Sequence, residues 1–153
     1  MKPSMLPVAF LVLLLLPAAA LPADSQPVVR TDPVLEQATK TIAAKDWPQA
    51  QALLKDAIVR NPNNADYHNL YAYSVRKGAN PDMSLVFQHY NEALRLDPRH
   101  RGAHEYIGEA YLQVGNVAKA KEHLSSLDKI CFFPCTEFSD LKKAISEYEA
   151  KPK

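Results

Sequence analysis

Cys131 and Cys135 are the only two cysteines of the chain, and Phe132-Phe133-Pro134 lies between them. A four-residue separation across a proline-containing turn can bring two Cα atoms within disulfide range. A structural disulfide is therefore the first expectation, pinning the C-terminal segment to the residues ahead of Cys131, with Phe132 and Phe133 packed beneath. The closed loop is tiny, so its entropic contribution is modest. A thiol–disulfide exchange pair and a soft-metal site for Cu(I) or Zn are the rival uses. Against them, the C-x-x-C redox spacing and the haem C-x-x-C-H are absent, and no His stands close behind as a ligand. His100 and His104 stand four apart, like a helical metal pair. Ser84, Ser125, Ser126 and Ser139 lack a G-x-S-x-G context. No G-x-x-x-x-G-K-[ST] or G-x-G-x-x-G occurs, so nucleotide binding has no motif behind it. The expectation is a protein that is not an enzyme, with no cofactor and no metal.

The N-terminus carries one basic residue, Lys2, then an apolar run from Met5 to Leu16, Pro17 and Ala18-Ala19-Ala20. Charge, apolar core and small residues in that order describe a secretory signal over residues 1–20, cleaved after Ala20 or Ala23. The run is shorter than the roughly 20 apolar residues a bilayer span needs. The expectation is an exported chain, periplasmic or secreted, with no stable membrane insertion after cleavage. Of 18 basic residues Lys2 is lost with the signal, which leaves 17 against 17 acidic ones. Lys and Arg are interspersed with Asp and Glu, so no basic stripe exists for nucleic acid or an anionic membrane surface.

These residues must be positioned by helices. Residues 21–31 are proline-rich and polar and read as a flexible lead-in. Asp32-Pro33 then opens a helix, with Asp as N-cap and Pro in the first turn. Further helices are predicted over Trp47 to Arg60, Ala65 to Lys77, Pro81 to Leu96, Arg101 to Val114, Val117 to Ile130 and Thr136 to Ala150. Asn61-Pro62, Gly78 to Asp82, Asp97-Pro98 and Gly115-Asn116 punctuate them. The chain also repeats itself. Leu54, Ala57 and Pro62 recur as Tyr90, Ala93 and Pro98, and a period of this size signals a helical repeat stack.

This pattern resembles the tetratricopeptide repeat. Ile107-Gly108-Glu109-Ala110-Tyr111 matches the family's L-G-x-x-Y, and Gly115 and Ala120 match its turn glycine and the small residue of its second helix. Ala38, Ala50, Leu54, Ala57 and Pro62 fit in the first copy, and Ala72, Ala93 and Pro98 in the second. Gly108 and Ala120 are expected where the two helices of one repeat cross closely. There are departures. Val34, His68 and His104 stand at the family's helix-A tryptophan, the second copy is longer around Asn80-Pro81, and the third lacks the terminal proline.

The resemblance implies an all-α fold of about three helix–turn–helix repeats (32–64, 65–100 and 101–134) in a right-handed superhelix. Residues 136–150 would form a capping helix whose outer side meets water. It further implies a groove lined by the first helix of each repeat: Asn69, Tyr73 and Arg76 from the second copy, and Glu105, Tyr106, Glu109 and Gln113 from the third. The implied function is a non-catalytic scaffold of the cell envelope that binds a peptide or protein. Leu35 and Thr39 stand where some relatives place a Lys/Asn clamp for a peptide carboxylate. A redox or metal-handling role for Cys131 and Cys135 is the alternative.

Overall fold

A computed structural model describes residues 32–133 and 135–152. The expected signal and lead-in lie outside the described residues. Among the described residues seven helices form: α1 Pro33–Ala43, α2 Trp47–Arg60, α3 Ala65–Lys77, α4 Met83–Leu96, α5 Arg101–Gln113, α6 Val117–Ile130 and α7 Thr136–Glu149. Among the described residues there is no strand, and no helix is long and apolar enough to cross a membrane.

Side-chain caps explain most of the starts. Asp32 accepts from the Val34 and Leu35 N–H groups, Asp46 from Gln49, Asn64 from Tyr67 and Asn116 from Lys119. Each such cap satisfies a donor the helix itself cannot, a contribution of about 1 kcal/mol. The expected start of α4 is corrected. Asp82, not Asn80, is the cap, accepting from Ser84 and Leu85, so Pro81 lies outside the helix. The ends of α5 and α7 fall one residue short of expectation, within ordinary fraying.

The α1–α2 and α5–α6 turns share one geometry. Lys45 and Gly115 both take left-handed backbone, at φ 58° and 80°. The next N–H groups, of Asp46 and Asn116, bond back to Thr41 and Tyr111 carbonyls. This wrapped C-terminus needs a left-handed residue, which glycine supplies without strain and Lys45 does not.

The helices pack as pairs, α1 with α2, α3 with α4 and α5 with α6, and each pair stacks on the next. The first helices also touch one another, α1 with α3, α3 with α5 and α5 with α7, so α7 completes the layer they form. One core runs from Ala38 and Leu54 through Tyr71, Val86 and Tyr90 to Ile107. A second lies under α7, with Leu112, Ala120, Leu127, Leu141 and Ile145.

Two packing expectations are corrected. A Cβ on Gly108 would meet Leu141 of α7, so its closest contact is with α7 rather than with α6. Phe132 and Phe133 are 92% and 75% exposed instead of packed beneath the cysteines.

Candidate protein-binding groove

The inner layer of α3, α5 and α7 carries the residues expected to line a groove. Two cross-helix contacts join α3 to α5. The rings of Tyr73 and Tyr106 lie 4.6 Å apart between centroids. One turn further on, Arg76 Nη2 donates to Glu109 Oε2 at 2.6 Å. Arg76 Nε also donates to the Tyr90 hydroxyl at 3.4 Å, and its guanidinium sits 5.5 Å from the Tyr73 ring centroid. Glu109 opens onto a cleft of about 440 Å³, bounded by Arg76, Gln113, Ala144, Glu147 and Tyr148.

The expected groove residues divide by burial. Tyr73, Tyr106 and Glu109 are half-buried and Gln113 is exposed. Asn69, Arg76 and Glu105 are buried. Arg76 is therefore a tie between repeats, with its donors directed to Glu109 and Tyr90, rather than a free contact for a partner. Asn69 Oδ1 is buried with no hydrogen-bond partner among the described residues.

Glu105 sits at the position on α5 that Asn69 occupies on α3. It is 8% exposed. Burial, and then the carboxylates of Glu109, Asp140 and Glu137, push its acid up to about 8, with Arg76 opposing. Burial likewise pushes the Tyr106 phenol up to about 12.

A constellation that the sequence reading missed lies within the repeats. His68 on α3 meets His89 on α4, Nδ1 to Nδ1 at 2.8 Å, and His104 on α5 meets His123 on α6 at 3.0 Å. The outer nitrogens of His68 and His104 bond the Pro62 and Pro98 carbonyls, at 2.9 and 3.1 Å. A carbonyl only accepts, so Nε2 of His68 and His104 must carry the hydrogen. Their Nδ1 atoms are then acceptors, and His89 and His123 donate from Nδ1. Burial holds the His89 and His104 rings below the ordinary imidazole value. Burial and then the facing His104 bring His123 down to about 4. The signal in the sequence was that each pair recurs at matching repeat positions.

His100 and His104, a candidate pair by spacing, turn to different partners. His100 caps α5 through Nδ1 and meets Asp66 at 3.0 Å through Nε2. Among the described residues no group of three or more His, Cys, Asp or Glu is placed to hold a metal ion. Cys131 and Cys135 lie side by side between α6 and α7, with Cα atoms 5.9 Å apart, inside the disulfide range.

The family model for the tetratricopeptide repeat matches residues 88–129. Solved structures of the same architecture include the Yersinia enterocolitica type III secretion translocator chaperone SycD in an alternative dimer. That match has 17% identity and a TM-score of 0.62, covering 77% of this chain and 90% of that one. Another structure of SycD matches at 14% identity and a TM-score of 0.65, covering 77% and 80%. SycD in complex with a peptide of the translocator YopD matches at 15% and 0.63, covering 76% and 86%. At these identities the likeness is one of fold. Comparison with curated proteins finds no match. Residues 88–129 thus carry a tetratricopeptide-repeat match, and the chain is all-helical over its described residues, with packed helix pairs like those of the repeat-built chaperone structures.

Proposed function

We propose that this chain is an exported, non-catalytic scaffold that holds a peptide or protein segment along the inner face of α3, α5 and α7. The single observation that carries the reading is the Tyr73–Tyr106 pair, half-exposed on a face already fixed by the Arg76–Glu109 tie. Tyrosines combine large contact area with a polar handle, and a face fixed before binding loses less entropy when a partner arrives. One structural neighbour is described in complex with a peptide, which supports the same use of this fold. The apolar N-terminal run with small residues behind it supports export, with the periplasm as the compartment. In that oxidising setting Cys131 and Cys135 close a disulfide that ties α7 to α6.

The test is partner capture by the full chain against Y73A, Y106A and a control, V59A, at an exposed α2 position. The two tyrosine variants lose at least about tenfold in affinity while keeping their helical signal and melting temperature. V59A leaves capture unchanged. Unaltered capture by both tyrosine variants removes the groove.

The exposure of Phe132 and Phe133 favours a second reading, in which an accessible Cys131–Cys135 pair exchanges thiols with, or hands a soft metal to, a client. A client trapped as a mixed disulfide by C135S supports that reading. Capture that is identical before and after reduction supports the scaffold.

A further inference from the structure

Among the described residues, six of the seven helices open on a side chain that accepts from their first turn: Asp32, Asp46, Asn64, Asp82, His100 and Asn116. Only α7 does not. Its N-cap residue is Cys135, whose side chain makes no capping hydrogen bond. The Cys135 carbonyl accepts from the Ser139 N–H at 3.1 Å, so the helix starts here, but its first N–H groups have no side-chain acceptor.

Packing does not make up for the missing cap. Over residues 136–140, at the start of α7, no side chain is buried; Glu137 and Phe138 are half-buried. The first buried residue is Leu141, against Gly108. Glu137 stands 3.7 Å from Arg101 of α5, a partly solvated pair that contributes little by itself. What holds this turn is covalent. Cys135 is bonded to Cys131, the C-cap residue of α6. The end of α6 is fixed in turn from the α4–α5 connection, where Arg99 Nη2 donates to the Ile130 carbonyl at 3.4 Å. Phe132 and Phe133 are 92% and 75% exposed and both cysteines are half-buried, which leaves the bond within reach of a small thiol.

We infer that the Cys131–Cys135 bond is a redox-sensitive clasp that stands in for the N-cap of α7. Oxidised, it fastens the first turn of α7 to the end of α6 and holds Glu137 beside Arg101. Reduced, that turn frays, while Leu141 and Ile145 keep the rest of α7 seated. Opening by a dithiol breaks the S–S bond, leaves two cysteine thiols and turns the dithiol into its own disulfide. A disulfide reagent closes the bond again, taking up the two electrons and two protons that the thiols give. The clasp rests on the bond assigned above and adds what that bond controls: the start of α7 is fixed only where the chain is oxidised. Tyr73 and Tyr106 lie on α3 and α5, so their hold on a partner does not change with it.

Residue-resolved hydrogen exchange of the full chain, with and without a dithiol, tests this. On reduction the Ser139, Asp140 and Leu141 amides lose at least about fivefold in protection, the size of one lost cap. The Ile145 amide of the same helix and the Ile107 amide of α5 change by less than about twofold. C131A/C135A has neither bond nor cap, and it matches the reduced chain in both buffers. C131A/C135D also lacks the bond but supplies a capping carboxylate, so it regains the protection and ignores the dithiol. Equal protection of the three amides before and after complete reduction, verified by titrating two thiols per chain, overturns the clasp. A loss spread evenly over α5, α6 and α7 overturns it too, because the bond is then a general staple. So does C131A/C135D exchanging as fast as C131A/C135A.

Discussion

Gly108 stands so close to Leu141 that a Cβ added to it would lie 2.6 Å from one Leu141 methyl and 2.8 Å from the other. Leu141 is fully buried, so turning it aside would disturb the packing around it. The absence of a side chain at Gly108 is thus what lets α7 seat on α5. G108L should destabilise the chain by about 1–3 kcal/mol through overpacking, read as a lower urea midpoint. L141A should cost about 2–4 kcal/mol alone, and G108A should be better tolerated in the L141A background than in the wild-type chain. An unchanged midpoint for G108L would mean that α7 is not docked there.

Arg76 and Glu109 form the one ion pair in the chain's described portion whose basic member is nearly fully buried. Removing Glu109 leaves the guanidinium with only Tyr90 as a side-chain hydrogen-bond partner. E109Q should cost about 2 kcal/mol, below the full cost of breaking a buried pair because Glu109 itself is partly solvated. R76M should cost less than R76A, since it keeps the packing of the long side chain. Chemical denaturation of the three variants checks the order.

The two histidine pairs tie stability to pH. The His89, His104 and His123 rings all sit below the ordinary imidazole value near 6.5, with His123 at about 4. The unfolded chain therefore binds more protons in that window. The stabilisation is fully present above about pH 6.5 and is lost as pH falls towards 4. The melting temperature should decline over that range, and H123F should decline less steeply than the wild-type chain. Parallel profiles for the two would contradict the pairing.

Glu105 has the opposite sign. Its folded value of about 8 lies above its ordinary 4.5. Its contribution is whole below about pH 4.5 and is lost as pH rises through 8. E105Q should therefore be more stable than the wild-type chain at pH 8.5, by on the order of 2 kcal/mol, and nearly equal to it at pH 4.5. Equal melting temperatures at both pH values would show that Glu105 is already solvated or paired.

The helical stack was legible because its signals are local. Proline, glycine and Asx residues punctuate the chain, and small and large apolar residues recur at repeat spacing. The start of α4 was misread because Asn80-Pro81 and Asp82 are both good openings. Asp82 prevails through its bonds to the Ser84 and Leu85 N–H groups. Sequence position could set Arg76 and Glu105 on one inner face but not separate their roles. That depends on how closely α3, α5 and α7 approach, which Gly102 against Asn69 and Gly108 against Leu141 make possible. The histidine pairs escaped notice for a related reason. Each joins a first helix to a second helix of the same repeat, 21 and 19 residues apart, and only aligning both helices across repeats reveals them.

Partners are expected on the inner face of the stack rather than the outer one. A photo-crosslinking residue placed at Gln113, exposed at the groove edge, or at Val59, 77% exposed on α2, tests it directly in cells that make the full chain. Discrete partner adducts that disappear with Y73A are expected from position 113, and none from position 59. Adducts from position 59 alone would contradict the claim and move the binding surface to the outer helices.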